Sequence, residues 1–256
     1  MLETWILRFF LVGVRVGGLM TFAPFFGNAS IPPTIKAGLT LFLTYLLAPV
    51  YASIPSPPAD PSALAALVLS EAALGLLLGF CVQFVIEGMI LAGQIVSFQF
   101  GFSLENIIDP NTQVEITVFA TWYELIALLM FLELGAHRWM IRALGASFRI
   151  LPPGSLESGR LPAGEFLKAA GALWLIGAEI AFPVLVVTML TDFTVGFLGK
   201  ASPQFPALFF GISAKALLGM VVLAATVAFW PSLLNRYLVH ALHSLEGLLA
   251  VAQAGG

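Results

Sequence analysis

Five stretches of this chain, residues 16–35, 37–59, 72–86, 88–104 and 216–235, contain no Asp, Glu, Lys or Arg. A bilayer core of about 30 Å is crossed by a helix of about 20 predominantly apolar residues, so charge-free runs of this length place the chain in or against lipid. Composition agrees: 59% of the 256 residues are hydrophobic and 10% charged, against about 25% charged in a soluble domain. Helix is the open-chain structure that satisfies its own backbone in lipid, so the runs are read as helical until Pro or Gly interrupts them. The predicted fold class is all-α and membrane-associated, with no sheet.

The punctuation leaves about six apolar helical blocks, over residues 5–26, 35–51, 63–100, 118–134, 167–198 and 207–229. The joints are rich in proline, which removes a backbone donor and clashes with the preceding turn. They include Pro55, Pro57, Pro58 and Pro61, then Pro152-Pro153-Gly154, then Pro203 and Pro206. No fixed-period repeat interrupts residues 1–256, and a single domain is expected. Glu3 precedes the first Arg8 without a small-residue cleavage pattern, so Met1 is read as the start of the mature chain.

A formal net charge of -3 excludes a nucleic-acid backbone as main partner. A single cysteine, Cys81, allows no intramolecular disulfide and no thiolate cluster. Short loops rich in Lys and Arg stay cytoplasmic. The basic loop 135–168 carries Arg138, Arg142, Arg149, Arg160 and Lys168 and reads as cytoplasmic. The joint 51–62, with Asp60 alone, and the loop 101–117, with Glu105, Asp109 and Glu115, read as outside. For both to be outside, block 63–100 must cross twice as a hairpin or not span conventionally; as one straight helix it would measure roughly 57 Å.

Ionisable groups within apolar helices face a protein interior or a wet cavity. Arg15, Glu71, Glu87, Glu124, Glu179, Asp192 and Lys215 are of this kind. They could form an ion path, but they are scattered over several blocks, which favours buried pairing between helices or subunits. Small residues accompany them at helical spacing: Gly13 and Gly17 flank Arg15, Glu71 is followed by Gly75 and Gly79, and Lys215 lies between Gly211 and Gly219. Such faces let another backbone approach closely, and a conduit lining is the weaker reading.

Residues 137–151 put Arg138, Arg142 and Arg149 on one face and Met140, Leu144, Phe148 and Leu151 on another. Residues 234–249 oppose Leu234, Leu238, Leu242, Leu245 and Leu249 to Arg236, His240 and His243. Either amphipathic stretch could dock on lipid or on a partner helix.

Enzyme constellations do not form. Glu133 and His137 lack the rest of a His-Glu-x-x-His zinc motif, Gly199-Lys200 has no phosphate loop around it, and Ser103 lacks a Gly-x-Ser-x-Gly elbow. No catalytic, cofactor or metal site is predicted. The loop 101–117 stands apart, joining glycine, apolar side chains and an Asp109-Pro110-Asn111 turn between two blocks. It reads either as a plain connector or as a gating element.

Taken in order, the landmarks are Arg15 with Ala23-Pro24; Ile31-Pro32 and Ile35-Lys36-Ala37-Gly38-Leu39; Glu71, Gly75 and Gly79-Phe80; and Gly93 through Gly101-Phe102-Ser103 and Asp109-Pro110. They continue with Gly135-Ala136-His137-Arg138-Trp139, Leu151-Pro152-Pro153-Gly154-Ser155, and Gly196-x-Leu198-Gly199-Lys200-Ala201-Ser202-Pro203-Gln204. In order and spacing these resemble the FliR family of flagellar biosynthetic proteins and its injectisome counterpart SctT, inner-membrane components of the type III secretion export apparatus. Lys200-Ala201-Ser202 departs from the family, in which an arginine is common at this place.

The resemblance implies kinked helical hairpins and a non-enzymatic subunit in the bacterial inner membrane at the flagellar basal body. Its implied partners are FliP-like and FliQ-like subunits, a FlhB-like subunit, membrane lipid and unfolded protein substrates. It implies a plug in the segment 101–113, with Gly101, Phe102, Asn106, Ile107, Ile108, Asp109, Pro110 and Asn111. Subunit packing is expected at Gly13, Arg15, Gly17, Pro24, Pro32, Lys36, Glu71, Gly75, Gly79, Lys200, Pro203, Gln204, Gly211, Lys215 and Gly219. The competing reading is a secondary transporter or ion-coupled channel using Glu71, Glu87, Glu179 or Asp192, although no matching pair of broken helices marks two halves.

Overall fold

The computed structural model describes residues 2–28, 31–50, 60–102, 117–154, 163–202, 204 and 206–254. Among these residues the structure is helical and has no strand. The helices are α1 (Leu2–Phe22), α2 (Pro33–Leu47), α3 (Pro61–Gln99), α4 (Val118–Glu133), α5 (Ala136–Ile150), α6 (Ala163–Ala201), α7 (Ala207–Thr226) and α8 (Trp230–Ala254). A 3-10 turn, Val227–Phe229, joins α7 to α8.

Local chemistry sets the boundaries. Proline follows α1 at Pro24, where the helix cannot continue. The chain then reverses through Phe25 at φ 70°. Lys36 Nζ donates to the Gly27 carbonyl at 2.9 Å, tying the first turns of α2 to that reversal. α2 opens with Pro33 at its first position, where a missing N–H costs nothing. Asp60 begins α3: its carboxylate accepts from the Ser62 amide at 3.0 Å and from the Ser62 hydroxyl at 2.6 Å. These bonds hold its carboxyl below the ordinary carboxylate range. Gly101 at φ 83° turns the chain out of α3, and Gly135 at φ 68° breaks α4 from α5.

Among the described residues, four helical stretches are long and apolar enough to cross a membrane: Glu3–Phe22, Pro61–Gln99, Phe166–Ala201 and Phe209–Ala241. The broken pair α4–α5 would make a fifth span. Block 63–100 is covered by one helix of 39 residues, Pro61–Gln99, so of the two alternatives a hairpin gives way to an unconventional span, because nothing within the helix is a strong breaker. α6 also runs for 39 residues, carrying Pro183 within it. Much of the stretch read as a basic loop, 135–168, is helix, since α5 fills its first half and α6 begins at Ala163. The last block likewise continues past residue 229 into α8.

The described residues form two compact units, each assembled from separate parts of the chain. The first holds Met1–Phe84, Phe131–Gly171 and Leu238–Gly256. Its core contains Leu11, Val12, Val16 and Leu19 of α1, Leu74 and Leu78 of α3, and Met140, Leu144 and Phe148 of α5. The apolar face of amphipathic α5 is therefore taken up by protein, and Arg138, Arg142 and Arg149 face outward. The second unit holds Val85–Met130 and Ala172–Tyr237. Its core contains Met89, Ala92 and Val96, then Ala120 and Tyr123, then Ile176, Ile180 and Val184, and finally Trp230, whose ring lies 4.5 Å from that of Tyr123.

Candidate functional site

In the first unit, α1 and α3 approach almost backbone to backbone. A Cβ at Gly75 would overlap the Arg15 carbonyl oxygen and lie 3.1 Å from the Gly18 Cα. One at Gly79 would lie 3.0 Å from the Leu19 carbonyl oxygen and 3.2 Å from the Phe22 Cβ. Glycine is needed at Gly75, where backbone fills the place of a side chain, and at Gly79 a Cβ would press the neighbouring helix back by a few tenths of an ångström.

That closeness brings Arg15 against Glu71, both with fully buried side chains. Arg15 Nε donates to Glu71 Oε2 at 2.6 Å and Nη2 to Oε1 at 3.0 Å, a side-on pair. The other terminal nitrogen, Nη1, donates to Ser147 Oγ at 3.2 Å and to the Leu151 carbonyl at 3.0 Å. The Gly154 amide donates to Glu71 Oε1 at 2.8 Å. The guanidinium carbon also sits 4.5 Å from the Phe148 ring centroid. A buried ion pair offsets its desolvation only when its remaining hydrogen-bonding capacity is met, and here it is met from α5 and the turn that follows. The node joins α1, α3, α5 and the Leu151–Gly154 turn. It is electrically neutral.

The remaining small residues differ in how tightly they are used. A Cβ at Gly13 would stand 3.4 Å from Thr44 of α2 and one at Gly17 3.7 Å from Thr40, ordinary contacts. Pro24 is buried, Pro32 exposed, and Lys36 holds the reversal as described. In the second unit, Gly211 would bring a Cβ 3.0 Å from Val195, and one at Gly219 would overlap the Phe100 ring. Lys200 and Gln204 are exposed, and Pro203 lies outside the described residues.

Of the segment expected to act as a plug, Gly101 and Phe102 are described. Asn106, Ile107, Ile108, Asp109, Pro110 and Asn111 lie outside the described residues. Its start is anchored: Phe100 packs over Gly219, and Phe100 and Phe102 each meet Phe119, at 5.3 and 5.4 Å between ring centroids.

The other intrahelical charges are distributed rather than gathered. Lys215 Nζ donates to Asp192 Oδ2 at 2.7 Å. Glu179 accepts from Arg236 at 2.6 Å and, through a short bond, from the Tyr237 hydroxyl. Glu87 and Glu124 are half-buried on α3 and α4.

Sequence reasoning did not single out Gly18 or Ser147, nor did it single out Gly88 and Gly177. A Cβ at Gly88 would lie 2.7 Å from Ile176, and one at Gly177 2.7 Å from Leu91. For Gly88 a signal existed: with Gly75, Gly79 and Gly93 it extends a run of glycines along α3. Ser147 sits among the apolar positions of α5, and no spacing rule points a serine there toward Arg15.

A family model described as bacterial export proteins, family 1, matches residues 6–241, a span that contains the whole charged node and both glycine contacts. The chain belongs to this family. Among its relatives, the flagellar biosynthetic protein FliR of Escherichia coli (strain K12) is 28% identical over 249 residues, covering 96% of this chain and 93% of that protein. FliR of Bacillus subtilis (strain 168) is 24% identical over 252 residues, 95% of each. FliR of Caulobacter vibrioides is 25% identical over 219 residues, 85% of this chain and 87% of that protein. As a member of the export family with several helices long enough to span, the chain is a membrane protein.

Proposed function

We propose that this chain is a non-enzymatic subunit of the type III export gate serving flagellar assembly. In this reading residues 1–256 are a single export-gate domain in the bacterial inner membrane at the flagellar basal body. The chain assembles with FliP-like and FliQ-like subunits and a FlhB-like subunit into a closed conduit for unfolded proteins. The observation that carries the reading is similarity to flagellar biosynthetic proteins of distant bacteria over most of both lengths. Large apolar side chains left bare on several helices support it, among them Phe42 and Tyr45 on α2, Phe182 and Phe197 on α6, and Phe209 on α7. Such surface needs lipid or other subunits to cover it.

The segment 101–113 is assigned the sealing role. Support comes from its start, where Phe100 and Phe102 are fixed on Phe119 while Gly101 directs the chain away from α3. Deleting 101–113, or changing Ile107 and Ile108 to Gly, is expected to make membranes leak ions while the complex still assembles. Tight membranes holding assembled complex would remove the sealing role.

The ion-coupled reading finds little support. Glu71 is neutralised by a buried arginine, and Glu179 and Asp192 have cationic partners of their own. The test is genetic: removing the chain is expected to stop secretion of flagellar proteins, and the intact chain to restore it. Undiminished secretion in its absence would refute the proposal. Solute uptake by the purified chain alone, abolished by neutralising one of these carboxylates, would establish the transporter instead.

A further inference from the structure

One face of α6 is bare along most of its length. Trp174, Phe182, Met189, Asp192, Phe193 and Phe197 recur at helical spacing on that face, and all are exposed, Phe193 at 66% and Phe197 at 71%. Gly196 lies on the same face, four residues from Asp192, and among the described residues nothing comes within 4 Å of the position its Cβ would take. This contrasts with Gly75 and Gly93, where the chain's own backbone fills that space.

Asp192 makes the face unlike a lipid-facing one. Its Oδ2 accepts from Lys215 at 2.7 Å, yet 55% of its side chain remains exposed within an apolar helix. An ionised group turned to hydrocarbon is costly, so lipid is a poor cover here. A water-filled conduit is no better, because Met189, Phe193 and Phe197 crowd the same face with apolar surface. A second copy of the chain is disfavoured because its own Asp192 brings an acceptor and no donor. Copies inserted with one topology run parallel, and a two-fold pairing over this face sets Asp192 against Asp192 of the other copy.

We infer that this face of α6 seats a membrane-embedded helix of a different polypeptide. That helix offers an uncharged hydrogen-bond donor (Ser, Thr, Asn or Gln) to Asp192 and places a side chain in the open space over Gly196. The donor is uncharged because Asp192 and Lys215 already neutralise each other, and an added cation would be buried without compensation. Interhelical hydrogen bonds and close approach at small residues are the forces that join helices in lipid. The inference rests on the reading that the chain works inside an assembly, and adds the face and the chemistry of the contact.

The test is photo-cross-linking in intact membranes, with a benzophenone amino acid placed in the full chain at Phe193, at Phe197 or, as an off-face control, at Leu198. Phe193 and Phe197 are expected to give an adduct with an apolar helix of another membrane protein. Mass spectrometry should place Ser, Thr, Asn or Gln in the joined peptide, and Leu198 should not give that adduct. Gly196→Leu, which meets no atom of the described residues, should abolish the adduct, and Asp192→Leu should reduce it several-fold more than Asp192→Asn. Adducts between two copies of the chain would overturn the inference, as would lipid adducts alone, a water-soluble partner, or an adduct indifferent to Gly196→Leu. If the export subunits co-purify with the chain but leave Phe193 unlinked, the α6 inference fails and the proposed function survives.

Discussion

With both side chains fully buried, removing either Arg15 or Glu71 alone strands the other charge away from water. Arg15→Met is expected to destabilise the folded chain by about 3–5 kcal/mol, and adding Glu71→Met to recover most of that loss. Thermal unfolding in detergent of the two single variants and the double variant measures the difference; a double variant as unstable as the singles would mean that the pair does more than neutralise itself. Gly75→Ala drives a methyl into the Arg15 carbonyl and should cost about 1–3 kcal/mol. Gly17→Ala, with its nearest contact at 3.7 Å, should be close to neutral in the same assay. Equal effects at the two positions would contradict the close α1–α3 packing. That such charges would pair between helices was legible from their scatter in the sequence, and Arg15–Glu71, Asp192–Lys215 and Glu179–Arg236 do so. Which residues pair was not, because Arg15 and Glu71 are 56 positions apart and only the folded crossing of α1 and α3 brings them together.

At the scale of elements, proline and glycine were the most readable signals. Pro24, Pro33 and Pro61 mark helix ends and starts, and Gly101 and Gly135 mark the breaks on either side of α4. The unbroken length of α3 was less readable: the charge pattern left open two crossings or an unconventional span, and the helix continues because Gly75, Gly79, Gly88 and Gly93 serve as packing points instead of turns. The amphipathic pattern of α5 was plain, but whether lipid or protein covered it depended on α1, which supplies Arg15 beneath Phe148. Phe100 and Gly219 make a testable contact between elements of the second unit. Gly219→Val should expel the Phe100 ring and loosen the end of α3, so that a cysteine at Phe102 reacts faster with a water-soluble maleimide. An unchanged labelling rate would mean that Phe119 alone holds that end.

For the whole molecule, apolar length and low charge were enough to predict an all-helical membrane protein, and the order of landmarks along the chain was enough to point to its family. The sealing role of segment 101–113 rests on the family resemblance and on the anchoring of Phe100 and Phe102 at its start. The central claim is that the chain is one subunit of an export gate, so its natural state is a complex. It is tested most directly by isolating the chain from native membranes in mild detergent and identifying by mass spectrometry everything that stays with it. The account predicts stoichiometric recovery of FliP-like and FliQ-like proteins; a chain recovered alone, or only with copies of itself, from membranes that still secrete flagellar proteins would contradict it.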